Sequence, residues 1–155
     1  MTKKLLILII TLIMCVGLIS CSKNNFLNKE KPSLNYHTES LKEDLAKSKP
    51  KVRILDMNIY SETVVNEEDI RIVKDLTDSL KDDNFLKEED IPKKPLYKFF
   101  IDVNSNKYVI DIYGDDFLTL YPWDSTLSKD FITLKDVPNA FKLEAFCQYA
   151  FDKKS

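Results

Sequence analysis

Apolar and polar residues divide the chain into three stretches, which are residues 5–19, residues 22–50 and residues 51–155. Residues 5–19 are an almost unbroken apolar run of 15 residues. Residues 22–50 are polar, rich in lysine and asparagine, and lack sustained apolar periodicity. Such a composition buries too little apolar surface to offset the entropy lost on ordering, so it predicts a flexible tether. Its 29 residues would span roughly 30 Å as a coil and about 100 Å if pulled straight.

Within this predicted tether, one short pattern favours local structure. Ser40-Leu41-Lys42-Glu43 has the S-x-x-E form of a capping box, which is compatible with a short helix over residues 41–47. The neighbouring Tyr36 and His37 are expected to be solvated tether residues.

Periodic patterns begin at Lys51, and residues 51–155 are predicted to form one domain. Residues 52–61 have the mixed pattern of a strand. Asn66 can cap a helix over residues 67–81, whose apolar stripe repeats at helical spacing. The stripe consists of Ile70, Val73, Leu76 and Leu80, with Ile72 beside it.

Three short strands follow, over residues 96–103, 107–113 and 117–121. Asn104-Ser105-Asn106 and Gly114-Asp115-Asp116 separate them, and these residue types tolerate the positive φ of hairpin connections. Residues 131–134 suggest a further edge strand. Asp136 then caps a closing helix that has Pro138 in its first turn and ends near Asp152. The order strand, helix, three-strand meander, helix predicts an α+β fold, in which two helices pack on a small antiparallel sheet.

The N-terminus carries the most specific signal in the chain. Lys3 and Lys4 precede the apolar run, which is shorter than the roughly 20 residues a spanning helix needs. The run ends in Leu18-Ile19-Ser20-Cys21, which resembles the lipobox of bacterial lipoproteins. The resemblance implies a signal peptide over residues 1–20, cleavage after Ser20 and a lipid anchor on Cys21 at the extracytoplasmic face of the cell membrane. An ordinary secretory signal and an uncleaved anchor are the alternatives.

Cysteine usage agrees with this interpretation. Cys15 would leave with the signal peptide and Cys21 would carry the lipid, so only Cys147 remains and no intramolecular disulfide can form. At helical spacing Cys147 shares a face with Leu143 and Phe151, which predicts a buried structural thiol. A reactive thiol would need a base, and His37 in the tether is a poor candidate.

Composition excludes several classes of site. With two glycines, one of them Gly17 in the apolar run, no glycine-rich phosphate loop can be built. With His37 as the one histidine, HExxH zinc sites are excluded, and we expect no cofactor and no metal. The net charge of −2 becomes −4 once residues 1–20 are removed, because Lys3 and Lys4 leave with them. This acidic balance argues against nucleic acid as a partner and against electrostatic docking on anionic lipid.

Two acidic patterns are candidates for a cation site or a catalytic site. Asp102-Val103-Asn104-Ser105-Asn106 matches the opening of an EF-hand calcium loop, but Lys107 replaces the turn glycine and Tyr113 the bidentate glutamate, so a polar hairpin turn is favoured. Asp111, Asp115 and Asp116 could supply paired carboxylates for glycoside hydrolysis. Alternation places Asp111 on the polar face of its strand, and the other two belong to a solvated turn.

Tyr121-Pro122-Trp123-Asp124 is the most suggestive stretch for binding. A tryptophan at a loop edge can anchor an interface or stack on a sugar ring. The favoured alternative is that Trp123 folds back to close the core between sheet and helices. The aromatic residues of the closing helix are expected to be mostly core; they are Phe141, Phe146, Tyr149 and Phe151.

Taken whole, the chain resembles the small lipoproteins of Gram-positive bacteria that carry one compact domain of unknown function. This favours a non-enzymatic binding or interaction module at the cell envelope, with an envelope protein as its partner and Tyr121, Trp123 and Asp124 as interaction residues. The alternatives are a small-ligand or ion-sensing accessory domain and, third, a carboxylate-based hydrolase. The oligomeric state stays open.

Overall fold

The strands whose apolar residues alternate most regularly form the centre of the sheet. The computed structural model describes residues 31–87 and 94–153. Over these residues, seven antiparallel strands form one sheet in the order β2-β1-β4-β5-β6-β7-β3. The strands are β1 Lys51–Asp56, β2 Ser61–Val64, β3 Phe85–Leu86, β4 Tyr97–Val103, β5 Asn106–Ile112, β6 Phe117–Pro122 and β7 Asp130–Thr133. The predicted meander and the α+β class are confirmed.

Helices cover one face of this sheet. They are α1 Tyr36–Lys47, α2 Arg71–Ser79 and α3 Leu143–Asp152, with single 3-10 turns at Asp82–Asn84 and Asn139–Phe141. Leu41, Val73 and Cys147 bring one side of each helix into the same core as Ile54 and the inward residues of the other strands. None of the helices within 31–87 and 94–153 is long and apolar enough to cross a membrane.

The prediction of a tether over residues 21–50 is wrong from residue 31 onward. Residues 36–47 form α1, so the short helix expected over residues 41–47 is present but starts at Tyr36. Leu41 is fully buried in the core. His37 is only 2% exposed, so the prediction that it is solvated is wrong. Tyr36 is exposed, as predicted. The buried face of α1 also contains Thr38 and Asp44, so hydropathy alone does not reveal it. Residues 21–30 lie outside the described part.

The first predicted strand and helix differ from the structure at their ends. Residues 51–64 form a hairpin of β1 and β2, with Tyr60 at φ 52° in the turn, where one strand was expected. The helix begins at Arg71, because residues 66–70 form turns in which the Asn66 carbonyl accepts from the amides of Asp69 and Ile70. The apolar stripe of α2 is confirmed, since Val73, Leu76 and Leu80 are buried.

The hairpin between β4 and β5 turns in two residues. Asn104 and Ser105 have φ values of 48° and 68°, and Val103 pairs with Asn106 across the ladder. Positive φ at both central positions matches the right-handed twist of the strands. The hairpin interpretation of this segment is therefore confirmed.

The closing helix starts later than expected. Pro138 precedes the 3-10 turn, and α3 begins only at Leu143. Leu143 and Cys147 are fully buried, so the prediction of a buried Cys147 thiol is confirmed. Phe141, Phe146 and Phe151 pack against the core, whereas Tyr149 is exposed.

Candidate functional site

The face of the sheet opposite the helices, which we call the open face, carries polar and aromatic residues such as Arg53, Phe100 and Tyr121. Register places Arg53, Phe100, Val109 and Tyr121 side by side on β1, β4, β5 and β6. On this open face a groove of about 350 Å³ lies over β1, β2, β4 and β5. We call it the tryptophan groove; its lining includes Arg53, Leu55, Glu62, Phe100, Asp102, Lys107 and Trp123.

Trp123 stands at the rim of this groove. Its backbone N–H donates to the Lys107 carbonyl at 2.9 Å, which extends the pairing of β5 and β6 by one residue. Its ring centre lies 5.7 Å from that of Phe100 at an interplanar angle of 58°, and the Arg53 guanidinium carbon lies 5.3 Å from the Phe100 ring centre. Trp123 nevertheless remains 65% exposed. A rigid aromatic surface beside charged side chains can bind a protein side chain or a small polar ligand.

The favoured prediction that Trp123 closes the core is wrong, because the side chain is exposed. Its role as an interface anchor or a sugar-stacking residue stays a prediction. Leu118 and Leu120 of β6 point into the core. Period-two alternation therefore places Tyr121 and Trp123 on the opposite face. This signal was present in the sequence, because the aliphatic residues of β6 already define which face is buried.

Tyr121 and Asp124, the other two predicted interaction residues, do not line the groove. The Tyr121 hydroxyl donates to Asp111 Oδ2 at 3.2 Å, and Lys129 Nζ lies 4.1 Å from the centre of its ring. Burial, followed by the negative charge of Asp111, raises the pKa of Tyr121. Asp124 is exposed in the loop after β6.

Asp111 lies on the open face, as alternation predicted, yet it is buried there. Lys98 and Lys129 both donate to it, the latter at 2.9 Å. Burial alone would raise the pKa of Asp111, but the two ammonium groups outweigh it and lower the pKa. Asp115 and Asp116 are exposed in the turn after β5, as predicted. Asp111 is therefore paired with lysines, whereas Asp115 and Asp116 face solvent.

A second buried carboxylate, Asp44 of α1, accepts hydrogen bonds from the polar hairpin whose sequence resembles the opening of a calcium loop. Asn104 Nδ2 donates to Asp44 at 3.0 Å, and Asn106 Nδ2 and the Tyr108 hydroxyl each donate at 2.7 Å. The amide groups are donors in this arrangement, and these bonds join α1 to the β4–β5 hairpin. Among the described residues, no three His, Cys, Asp or Glu side chains are grouped to hold a metal.

His37 belongs to a third buried cluster, where α1 meets the start of β7. Lys31 Nζ donates to Asp130 Oδ1 at 2.7 Å, and the Thr38 amide and hydroxyl donate to Asp130 Oδ2 at 2.7 and 2.8 Å. His37 Nε2 lies 3.0 Å from the Ser128 carbonyl, to which it donates. Burial lowers the pKa of His37, against the opposing charge of Asp130. The cluster pins residues 31–38 to the sheet.

The sequence of the chain matches the model of a domain family of unknown function. The family model for DUF4883, a domain of unknown function, matches residues 31–147. A crystal structure described as that of a candidate lipoprotein from Clostridium perfringens is 65% identical, with a TM-score of 0.74. The match covers 79% of this chain and 98% of that one. No curated protein matches the chain.

Proposed function

The chain belongs to the DUF4883 family of domains of unknown function, and from that premise we propose that it is a lipid-anchored, non-enzymatic binding module of the bacterial cell envelope. The anchor is a lipid on Cys21, exposed by cleavage after Ser20, and it holds the domain at the extracytoplasmic face of the membrane. Support comes from the Leu18-Ile19-Ser20-Cys21 motif and from the description of the Clostridium perfringens relative as a candidate lipoprotein. Residues 1–30 themselves lie outside the described part of the structure.

The observation that carries the binding role is the exposure of Trp123. Exposing most of an indole to water sacrifices the hydrophobic stabilisation that its burial would give. Here the Trp123 ring packs against Phe100, and its backbone donates a hydrogen bond to Lys107. Because the ring is already positioned, little conformational entropy is lost when a partner binds it. A positioned, exposed tryptophan surrounded by charged residues is typical of the centre of a protein interface with a polar rim. We assign this surface to an envelope protein partner.

The charged groups of the described residues favour binding over catalysis. Asp111 and Asp130 are each bound by lysine, and Asp44 is bound by three neutral donors. Burial raises the pKa of the Cys147 thiol, which opposes formation of a nucleophilic thiolate. Burial and then the charge of Asp115 raise the pKa of Glu144 as well, but neither of these acids lines the tryptophan groove.

A second candidate, a small-ligand accessory domain, is favoured by the size of the tryptophan groove. Its volume of about 350 Å³ falls in the range of small-molecule sites, which runs from about 300 to 1,000 Å³. Arg53, Glu62, Asp102 and Lys107 could orient a polar ligand there, and Phe100 with Trp123 could contact its apolar face.

The binding role is tested by crosslinking the native protein in cells and identifying captured proteins by mass spectrometry. We expect one envelope protein to be captured reproducibly and to be lost with Trp123→Ala. Tyr149→Ala is the matched control, because Tyr149 is also an exposed aromatic residue but lies on α3. Capture that survives Trp123→Ala would remove the groove from the interface. Absence of any specific capture would favour the small-ligand candidate, which a ligand screen on the purified chain then tests.

The anchor is tested separately with a labelled fatty acid. Cys21→Ala is expected to abolish incorporation of the label and to leave the precursor unprocessed. Cys147→Ala should leave both unchanged, because Cys147 is buried in the core. Labelling that persists in Cys21→Ala would refute the proposed anchor.

A further inference from the structure

One edge of the sheet is formed by a strand long enough to pair with another chain. In the part of the chain that the structure describes, β2 and β3 are the edge strands. β3 has two residues, whereas β2 has four, and the pairing of β2 with β1 continues at Val65, whose N–H donates to the Val52 carbonyl. A sheet edge presents backbone N–H and C=O groups to which a further extended chain can add.

The register of β1 and β2 shows which backbone groups of this edge point outward. Directly opposite residues of antiparallel strands alternate between pairs that exchange hydrogen bonds and pairs that exchange none. The bond of 2.9 Å from Val65 to Val52 makes that pair a hydrogen-bonded one. The next pair, Arg53 with Val64, is therefore of the other kind, and the N–H and C=O of Val64 point away from β1. These two groups are placed to bond the backbone of an added strand.

A small groove follows the same edge on the helix side of the sheet. Its volume is about 180 Å³, and we call it the edge groove. Its lining includes Val64, Val65 and Asn66 from the edge, and Phe146, Ala150 and Lys153 from α3. Lys153 Nζ lies 3.6 Å from Asp69 Oδ2, so the charged groups of the lining pair with each other.

The size of the edge groove favours a peptide side chain over a free ligand. Small-molecule sites have volumes of about 300 to 1,000 Å³, and the edge groove lies below that range. An added strand directs alternate side chains to opposite faces of the sheet. One apolar side chain of such a strand can therefore enter the edge groove and contact Phe146 and Ala150.

Exposed apolar side chains also mark this edge. Among the described residues, the most exposed large apolar side chains are Tyr60, Ile59, Val64 and Trp123, at 73%, 69%, 68% and 65%. Three of the four belong to β2 and the turn before it. Glu62, the one charged residue of β2, is paired with Arg53 at 3.0 Å and lines the tryptophan groove. A strand added to β2 would therefore lie directly beside the surface assigned above to the partner.

We propose that an extended segment of the envelope partner adds to β2 as an eighth strand of the sheet. This inference rests on the proposed binding function and specifies how the partner is recognised. Backbone hydrogen bonds with Val64 hold the segment at the edge, and one apolar side chain enters the edge groove. The side chains on either side of it face the tryptophan groove. Main-chain bonds supply affinity in this mode, and the pockets for alternate side chains supply specificity.

A proline at the edge tests the backbone bonds in the in-cell crosslinking experiment. Val64→Pro removes the outward N–H and retains the bonds between β1 and β2, because an edge strand tolerates proline where the N–H faces away from the sheet. Val64→Thr is the matched control, since it retains the N–H and a β-branched side chain. We expect Val64→Pro to lower capture of the partner about tenfold or more, and Val64→Thr to change it less than about twofold.

A second pair of variants tests the edge groove. Ala150→Lys fills the groove with a long side chain, whereas Ala145→Lys places the same side chain at an exposed position of α3 outside the groove. We expect Ala150→Lys to lower capture about tenfold and Ala145→Lys to preserve it. Tyr149→Ala remains a neutral control, because Tyr149 does not line the edge groove. Circular dichroism of the purified variants verifies that each one folds.

The outcomes separate strand addition from the binding function. Loss of capture with Val64→Pro and Ala150→Lys, but not with their controls, supports the added strand. Capture that is lost with Trp123→Ala but unchanged in either of these variants overturns the added strand and leaves the binding function standing. If Val64→Pro does not fold, deuterium exchange of the wild-type Val64 amide decides: we expect it to slow about tenfold in the complex with the captured partner, and equal exchange overturns the proposal. Absence of capture by the wild-type protein overturns both.

Discussion

Asp44→Ala is the sharpest test of the structural role of α1. If residues 36–47 belonged to a tether, removing one carboxylate from them would leave stability unchanged. In the structure, the Asp44 carboxylate accepts three hydrogen bonds from the β4–β5 hairpin, given by Asn104, Asn106 and Tyr108. The matched control is Glu43→Ala, which removes the neighbouring carboxylate on the same helix; the Glu43 side chain is 75% exposed.

The expected loss follows from the surroundings of the three donors. A hydrogen bond to a charged group contributes about 1.5–3 kcal/mol. Asn104 and Asn106 are exposed residues whose amides water can reach, so their loss is partly compensated. Tyr108 is only 4% exposed, so its hydroxyl would lose most of its interaction. We therefore expect Asp44→Ala to lower the free energy of unfolding by about 2–4 kcal/mol, and the melting temperature by roughly 10 °C.

The assay is urea unfolding of the mature chain with Cys21→Ser, followed by circular dichroism. A loss below about 0.5 kcal/mol, equal to that of Glu43→Ala, would refute the role of α1 in the fold. The pH dependence of unfolding gives a second test.

Burial would raise the pKa of Asp44, but the three hydrogen bonds that it accepts outweigh this effect and lower the pKa. Its stabilisation is therefore full above the unfolded pKa of about 3.9 and is lost as pH falls through the folded value. The difference from Asp44→Asn should shrink below about pH 4.

Two further predictions concern the turn and the thiol. Ser105→Gly should stabilise the domain by about 0.5–1 kcal/mol in the same unfolding assay, because Ser105 adopts φ 68° and glycine tolerates this conformation without strain; a destabilised variant would contradict that account. Cys147 should react with a thiol reagent only as fast as the domain opens, since it is fully buried, and Cys21→Ser removes the competing thiol; rapid labelling of the native chain at neutral pH would show that the thiol is accessible.

The sequence predicted the parts of the fold whose residues follow a simple period. The central meander and the stripe of α2 were recognisable because apolar residues recur at spacings of two and of three to four. The two missed strands lack such a repeat. Thr63 is the one buried residue of β2, and β3 has two residues in all. Strands this short take their structure from pairing with β1 and β7 rather than from their own pattern.

Helix α1, of which the sequence pattern indicated only residues 41–47, shows a different limit. His37, Thr38 and Asp44 are polar, yet they are buried because each finds partners supplied by distant parts of the chain. A hydropathy pattern predicts that these residues are solvated. It cannot show their partners, because these lie 64 to 92 residues away in the sequence. The same reasoning explains Asp111, whose face was predicted correctly and whose burial depends on Lys98 and Lys129.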